Sequence, residues 1–307
     1  MAENSAISWT RHTWNPVIGC TKVSPACDGC YAEAMMDHRY HRVQWGKPGQ
    51  KGTLSRTGAS TWNDPLRWQR QAEKDGDRPF VFCCSLADVF DNQWDPQWRA
   101  DAFEVMRKTP RLVYLLLTKR PQNIIKLATE AGGLPSNAAI GTTIEDQKRA
   151  DTNIPALLRA KHETNPLFAF LSCEPLVGEI DLEWPNSVWP GGPPMCCNGY
   201  MCGCRGMPTD PPLIYGIDWV ITGGETDQGG HKARPTHPDW FRKLRDQCAA
   251  WSVPFHHKQN GEWVSVSEVA GPGDHFKFED GATVRRIGKK LSGRTIDGVT
   301  HDAFPEV

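Results

Sequence analysis

Six short apolar runs alternate along the chain with longer amphipathic stretches, and this alternation limits the folds open to it. Predicted strands cover 79–85, 111–118, 137–144, 167–174, 217–225 and 253–259. Predicted helices cover 32–43, 96–109, 120–131, 146–162 and 237–251. Continuous apolar strands separated by helices are typical of a parallel sheet that is buried on both faces. With one further strand leading into residue 20, the pattern predicts an α/β fold, a partial TIM-like (β/α)6 barrel.

Two segments depart from the alternation. Residues 185–212 are rich in Gly, Pro and Cys, which predicts an irregular insertion. Residues 266–307 are polar with short strand patterns and are predicted to form a small C-terminal appendage to a barrel domain over 1–265. Residues 44–65 are rich in Gly, Ser and Thr and are predicted to form a surface loop.

Composition narrows the class of protein. With 307 residues, 39% of them hydrophobic, the chain can bury a sizeable core. It has neither a run of about 18 apolar residues nor the pattern of a signal peptide, so we expect a cytoplasmic protein without a membrane partner. The net charge of −1 excludes a global attraction to nucleic acid but leaves a local basic patch open. In a reducing compartment, clustered cysteines favour metal binding over disulfides.

Three cysteines lie close together near the N-terminus. Cys20, Cys27 and Cys30 form a C-x6-C-x2-C pattern. A closed structural zinc site needs four ligands, so three thiolates are one too few. They suit a [4Fe-4S] cluster in which one iron stays open for a substrate or cofactor. The alternative is a zinc site completed by a distant His or Cys.

A second group of four cysteines falls within the irregular insertion. Its members are Cys196, Cys197, Cys202 and Cys204. They are candidates for a zinc ion or an auxiliary cluster, with His231 or His237 as a further zinc ligand. Because adjacent cysteines are poor joint ligands for one metal, an unligated group is an equal alternative.

Small or polar residues follow each predicted strand and would meet at one edge of a barrel. The candidates are Cys84, Ser85, Asp88, Thr118, Lys119, Arg120, Thr142, Thr143, Glu145, Cys173, Glu174, Gly223, Gly224, Glu225 and Lys258. Such a cavity suits a zwitterionic amino-acid group and a ribose, with Lys119 or Arg120 binding the carboxylate. Singly, each residue is also explained as a helix cap or a solvated loop residue. Their recurrence at strand ends favours a shared cavity.

Several blocks of the chain resemble a known family. The stretch SWTRHTWNPVIGCTKVSPACDGCYAEA is similar to the signature of a phage-associated three-Cys-motif family, which is related to radical S-adenosylmethionine (SAM) enzymes. Spore photoproduct lyase is a more distant relative. The blocks FCCSLADVF, LLLTKRPQN, LSCEPLVGEIDL, DWVITGGETDQGGHKARP and VPFHHKQNGEW follow in the order of that family. The resemblance spans roughly residues 7–265.

The resemblance implies a [4Fe-4S] cluster on Cys20, Cys27 and Cys30, with SAM on the open iron. Reductive cleavage, driven by an external electron donor, would yield a 5′-deoxyadenosyl radical that abstracts hydrogen from a substrate. The first gap has six residues where radical SAM enzymes usually have three, and the GGE step at 223–225 comes late in the chain. We therefore expect Ser85 and Asp88 to contact the SAM amino group. The candidates for action on the substrate are Cys84, Cys173, Glu174 and Lys258. The two cysteines would be hydrogen-atom donors, and the favoured alternative for both is a buried apolar side chain on a strand.

The phage association implies a nucleobase in DNA as substrate. One route to hypermodified thymidine needs a radical isomerase that converts the C–N link of an amino acid on the thymine methyl carbon into a C–C link. A lyase that repairs a damaged base is the alternative enzyme, and a zinc-stabilised nucleic-acid-binding protein is the alternative without catalysis. The basic and aromatic segment 39–68 is compatible with approaching DNA and equally with a solvated loop.

Overall fold

Seven parallel strands form the centre of the computed structural model, which describes residues 3–183 and 211–307. The strands are β1 (His12–Thr13), β2 (Phe80–Cys83), β3 (Val113–Thr118), β4 (Ala138–Thr143), β5 (Ala169–Cys173), β6 (Trp219–Gly223) and β7 (Phe255–Gln259). Their order in the sheet is their order in the chain, and every neighbouring pair is parallel. The sheet curls into a half-barrel surrounded by helices. All carboxyl ends therefore meet at one rim, and the six predicted strands are confirmed.

Five longer helices pack around the sheet in the described residues. They are α1 (Ala59–Asp75), α2 (Pro96–Arg107), α3 (Ile124–Glu130), α4 (Gln147–Thr164) and α5 (Pro238–Ala250). Asp95 and Asp146 cap α2 and α4, because their side chains accept backbone N–H groups of the first turn. The predicted helix at 32–43 is a short helix, Tyr31–Glu33, that continues as a π-helix over Ala34–Arg39.

Both faces of the sheet are buried, as β3 illustrates. Tyr114 and Leu116 pack in the layer between the sheet and the helices. Val113 and Leu115 point to the other face, into a cluster with Trp219 inside the half-barrel. Since successive strand residues face opposite sides, a continuous apolar run is what two buried faces require.

The predicted loop over 44–65 is wrong in its second half, because α1 begins at Ala59. Trp62, Trp68 and Ala72 form the buried face of this helix. Pro65, inside the helix, cannot donate to the carbonyl of Thr61 four residues earlier. That carbonyl instead accepts a 2.9 Å hydrogen bond from Nε1 of Trp14. A contact distant in sequence thus satisfies the carbonyl that Pro65 leaves without its helical donor.

The C-terminal residues pack against the half-barrel. Strands Trp263–Ser265, His275–Lys277 and Thr283–Arg286 form an antiparallel sheet that spans the predicted 265/266 boundary. A short helix, Lys289–Ser292, and a hairpin of Thr295–Ile296 with Val299–Thr300 follow. Residues 301–303 then pair with β7, where His257 N donates to His301 O at 3.0 Å. They cover the free edge of the sheet, which would otherwise expose unpaired backbone groups.

Among the described residues, no helix combines the length and apolar character needed to cross a membrane.

Candidate functional site

A cavity of about 720 Å³ opens at the carboxyl ends of the strands. The three cysteines of residues 20–30, here called the cysteine loop, all line it. So do polar residues following every strand from β2 to β7, among them Cys84, Ser85, Asp88, Thr118, Lys119, Arg120, Thr143, Glu174, Gly224, Glu225 and Lys258. Residues predicted from separate strand ends are thus brought together around one cavity.

The loop thiols sit in surroundings that disfavour their charge. Cys20, Cys27 and Cys30 are free thiols, and Cys27 is buried. Burial raises the pKa of Cys20 to about 12 and also raises the pKa of Cys30. Burial lowers the pKa of Lys119, but the thiolate charges of Cys27 and Cys30 outweigh this and leave that pKa above its usual value. Thiolates at this position therefore require further positive charge, which a metal centre supplies.

Arg120 attaches the cysteine loop to the ends of β2 and β3. Its Nη2 donates to the carbonyl of Thr21 at 2.7 Å, and its Nη1 lies 3.7 Å from Sγ of Cys20. The same guanidinium pairs with Asp88 at 2.9 Å and Asp91 at 3.2 Å. Arg120 is therefore a structural support for the loop as well as a lining residue.

The placement of Asp88 changes its expected role. Its Oδ2 accepts from Thr118 Oγ1 at 2.9 Å and from the backbone N–H of Lys119 at 3.1 Å, in addition to Arg120. Its Oδ1 accepts from Phe90 N at 3.0 Å. Three donors occupy Oδ2, so the expected contact of Asp88 with a SAM ammonium would have to be made through Oδ1, which has one donor. Ser85, which also lines the cavity, exchanges hydrogen bonds with Asn15 through its hydroxyl.

Two further arginines, which the sequence did not indicate as site residues, bind the loop in the same way as Arg120. Each donates to a loop carbonyl and pairs with an acid. Arg149 donates to the carbonyl of Val23 at 3.5 Å and pairs with Glu145 at 3.7 Å. The Nη2 of Arg234 donates to the carbonyl of a loop proline at 3.2 Å, and Arg234 pairs with Glu225 at 2.6 Å.

The three arginines thus bind the carbonyls of alternate loop residues, Thr21, Val23 and Pro25, and each is paired with an acid on the barrel rim. These residues all lie in the six-residue gap between the first two cysteines. These hydrogen bonds therefore fix the position of the six-residue gap over the rim. No sequence pattern marks Arg149 for this function, whereas Arg234 lies within the block DWVITGGETDQGGHKARP.

A second charged group lies at the ends of β5 and β7. Lys258 Nζ donates to Glu174 Oε1 at 2.7 Å, and Gln259 Nε2 donates to the same oxygen at 3.0 Å. A Cβ on Gly223 would lie 2.9 Å from Cδ of Glu174, so this glycine makes room for the carboxylate. A Cβ on Gly224 would meet the carbonyl oxygen of Asn260 at 1.9 Å. The two glycines of the GGE step therefore serve close packing.

Four of the predicted residues do not line this cavity. They are Thr142, Glu145, Cys173 and Gly223. Cys173 was expected to act on the substrate, but it is buried in the layer between sheet and helices, near Cys248. Thr142 bonds to the carbonyl of Thr118 within the sheet at 3.0 Å. Glu145 lines a smaller neighbouring cavity of about 200 Å³ and accepts from Ala26 N at 3.4 Å.

The second cysteine group, Cys196, Cys197, Cys202 and Cys204, lies outside the described residues. Of the two histidines considered with it, His231 has its Nε2 3.2 Å from Oε1 of Glu225. His237 caps α5 by accepting from Asp239 N, and its Nε2 lies 3.0 Å from Asp280. Both histidines therefore have neighbours of their own within the described structure.

The segment proposed to meet DNA is only partly available. Lys47 and Lys51 are exposed. Arg56 pairs with Asp101 at 2.6 Å, and its guanidinium lies 3.9 Å from the ring centroid of Trp62. Trp62 is buried in α1 and cannot stack on a base. The exposed basic residues of 39–51 that have no ion pair among the described residues are therefore the better candidates for contact with DNA.

Comparison with family models matches residues 4–305 to one described as Protein of unknown function (DUF5131). The match covers almost the whole chain. This chain belongs to that family. Comparison with curated proteins and with solved structures gave no match. The DUF5131 family thus includes a half-barrel with three cysteines at its carboxyl rim.

Proposed function

We propose that this protein is a radical SAM enzyme that acts on a modified nucleobase in DNA. Cys20, Cys27 and Cys30 would hold a [4Fe-4S] cluster, and the half-barrel would be a partial (β/α)6 TIM-like barrel. The best candidate reaction is isomerisation of an amino acid-substituted thymidine. When bound, the cluster and SAM would supply a 5′-deoxyadenosyl radical, using one electron from an external donor.

The observation that carries the proposal is that three free thiols share one cavity with the polar ends of six strands. A cavity of about 720 Å³ is large enough for a cofactor and part of a substrate together. Three ligands on one loop leave a fourth position for another molecule, as an open iron requires. The thiols, the cations and the cavity thus fit a cluster with an exchangeable ligand.

The loop sulfurs do not form a compact zinc site among the described residues. Tetrahedral zinc with Zn–S bonds of about 2.3 Å brings its sulfurs to roughly 3.8 Å from one another. Among the described residues, the three loop sulfurs are not all within 4.8 Å of one another. A compact mononuclear site is therefore not preformed by these cysteines, whereas a larger group would span wider separations.

Other residues that line the cavity have separate proposed roles. Trp9, Phe82 and Leu117 line the cavity with apolar surface and would exclude water from a bound cofactor and substrate. Lys119 is close enough for its charge to act on the loop thiols, and it would stabilise their thiolate form. Glu174, held by Lys258, keeps its Oε2 free of hydrogen-bond donors among the described residues, so it can accept one from a substrate or from SAM.

Anaerobic purification with iron quantification tests the proposal. We expect brown protein with about four irons per chain and, with dithionite and SAM, formation of 5′-deoxyadenosine. The variants C27A and C30A should lose both iron and turnover. The matched control C248A removes a buried thiol outside the cavity and should retain both.

Colourless protein that contains zinc and does not react with SAM would contradict the proposal and favour the zinc-stabilised binding protein. Where the enzyme is active, the product distinguishes the two reactions. Isomerisation leaves the mass of the substituted thymidine unchanged, whereas lyase repair changes the mass of the damaged base.

A further inference from the structure

The cavity contains two lysines at the end formed by β5 and β7. Lys258 belongs to β7, and Lys289 begins the short helix Lys289–Ser292 in the C-terminal segment. Both side chains line the cavity. Lys289 was not among the predicted site residues, because nothing in the sequence of 266–307 placed that segment beside the barrel rim.

The two ammonium groups differ in their partners. Lys258 pairs with Glu174 at 2.7 Å. The ammonium of Lys289 has no hydrogen bond or ion pair with any described residue, although the charges of Glu174 and Glu262 act on it. Burial lowers the pKa of Lys289, and the neighbouring charge of Lys258 lowers it further. One of the two ammonium groups at this end of the cavity therefore has donors that no described residue binds.

The other cations of the cavity have direct partners. Arg120 pairs with both Asp88 and Asp91. Lys119 donates to Thr143 Oγ1 at 3.4 Å, and the charges of the loop cysteines and Glu145 act on it. Of the cations that line the cavity in the described structure, only Lys289 therefore keeps all the donors of its ammonium free for an anion from solution.

We propose that Lys258 and Lys289 form a subsite for an anionic group of the substrate, a carboxylate or a phosphate. This inference rests on the proposed function, because it concerns the substrate bound in the same cavity. The ammonium groups would bind the anion as charge-assisted hydrogen-bond donors. The C-terminal segment would then determine which substituted nucleotides the enzyme accepts.

The test is equilibrium binding of three probes to the reconstituted holoprotein. The probes are thymidine, thymidine 5′-monophosphate and 5-(carboxymethyl)-2′-deoxyuridine. At least one anionic probe should bind about tenfold more tightly than thymidine, the advantage of one charge-assisted hydrogen bond. The anionic probe that binds more tightly than thymidine shows whether phosphate or carboxylate is recognised. The variant K289A should remove the advantage without changing thymidine binding.

Two further variants complete the design. K289R keeps the positive charge and should retain most of the advantage. K290A removes the next lysine, which is exposed and does not line the cavity, and should behave as wild type. Equal anion preference in wild type and K289A would overturn this inference alone. Failure of all three probes to bind wild type would overturn the proposed substrate class and this inference with it.

Discussion

The ion pair between Arg234 and Glu225 should determine how firmly the cysteine loop is held, and R234M tests this. Arg234 donates Nε to Oε2 at 2.9 Å and Nη2 to Oε1 at 2.6 Å, in a bidentate arrangement. Glu225 is 4% exposed, so removing the guanidinium leaves a buried carboxylate without its main partner.

Breaking a buried pair on one side typically costs 3–5 kcal/mol. The side chain of Arg234 is 33% exposed, so solvent already screens part of the interaction. We therefore expect the lower end, a loss of about 3 kcal/mol in the free energy of unfolding, or roughly a hundredfold in the equilibrium constant. The same loss should free the carbonyl of Pro25 and loosen the loop.

The assay is urea denaturation of the apoprotein together with alkylation of the loop thiols. R234M should unfold at lower urea, and Cys27, only 8% exposed in the native structure, should be alkylated faster. The double variant R234M/E225Q should recover part of the stability, because it removes the unpaired charge. R159M is the control: its pair with Glu163 is exposed, so a loss of at most about 0.5 kcal/mol is expected.

The pair also has a defined pH dependence. Burial raises the pKa of Glu225, but the hydrogen bonds from Arg234 outweigh this and hold that pKa below its usual 4.5. A lowered carboxyl pKa gives stability that is present above 4.5 and is lost as pH falls through the folded-state value. The difference in free energy of unfolding between wild type and R234M should therefore become smaller below pH 4.5. Equal stability and equal alkylation of the two proteins at pH 7 would refute the proposal that the Arg234–Glu225 pair holds the cysteine loop.

Three other predictions follow from the described contacts. Burial lowers the pKa of three histidines: His12 and His256 to about 4 and His257 to about 3. Their stabilisation is complete above the ordinary value of 6.5, so the free energy of unfolding should fall between pH 6.5 and 4, by up to about 1.4 kcal/mol per pH unit for each histidine. A flat profile in denaturation measured across that range would contradict this. G224A should lower the free energy of unfolding by about 3 kcal/mol or more, because its Cβ would meet a backbone oxygen at 1.9 Å. G58A meets open space and should cost at most about 1 kcal/mol, from the poorer N-cap that Ala gives α1. Charge reversal in K47E/K51E should weaken DNA binding and flatten its salt dependence, with K126E on the exposed face of α3 as control; unchanged binding would remove this segment from the DNA interface.

Much of the sheet was predictable because its signal is local. A strand such as β3 is apolar at every position when both faces are buried, and the run ends where the chain leaves the sheet. Parallel strands place their carboxyl ends at one rim, so residues such as Lys119 and Glu174 could be expected together. By contrast, the start of α1 was missed because it lies in a segment rich in Gly, Ser and Thr. The bond from Trp14 that satisfies the carbonyl left free by Pro65 joins residues 47 positions apart.

The sequence by itself determined the cysteine spacing, the six apolar strands and the polar residues that follow them. These depend on residue type and short-range order, which a single chain displays directly. Only the tertiary structure decided how the cysteine loop is held and which ammonium at the cavity has donors that no described residue binds. The carbonyls of Thr21, Val23 and Pro25 are bound by arginines 99, 126 and 209 residues away, and Lys289 reaches the cavity from the C-terminal segment. Such contacts depend on how the chain closes in space, since a charge acts on whatever folding brings near it.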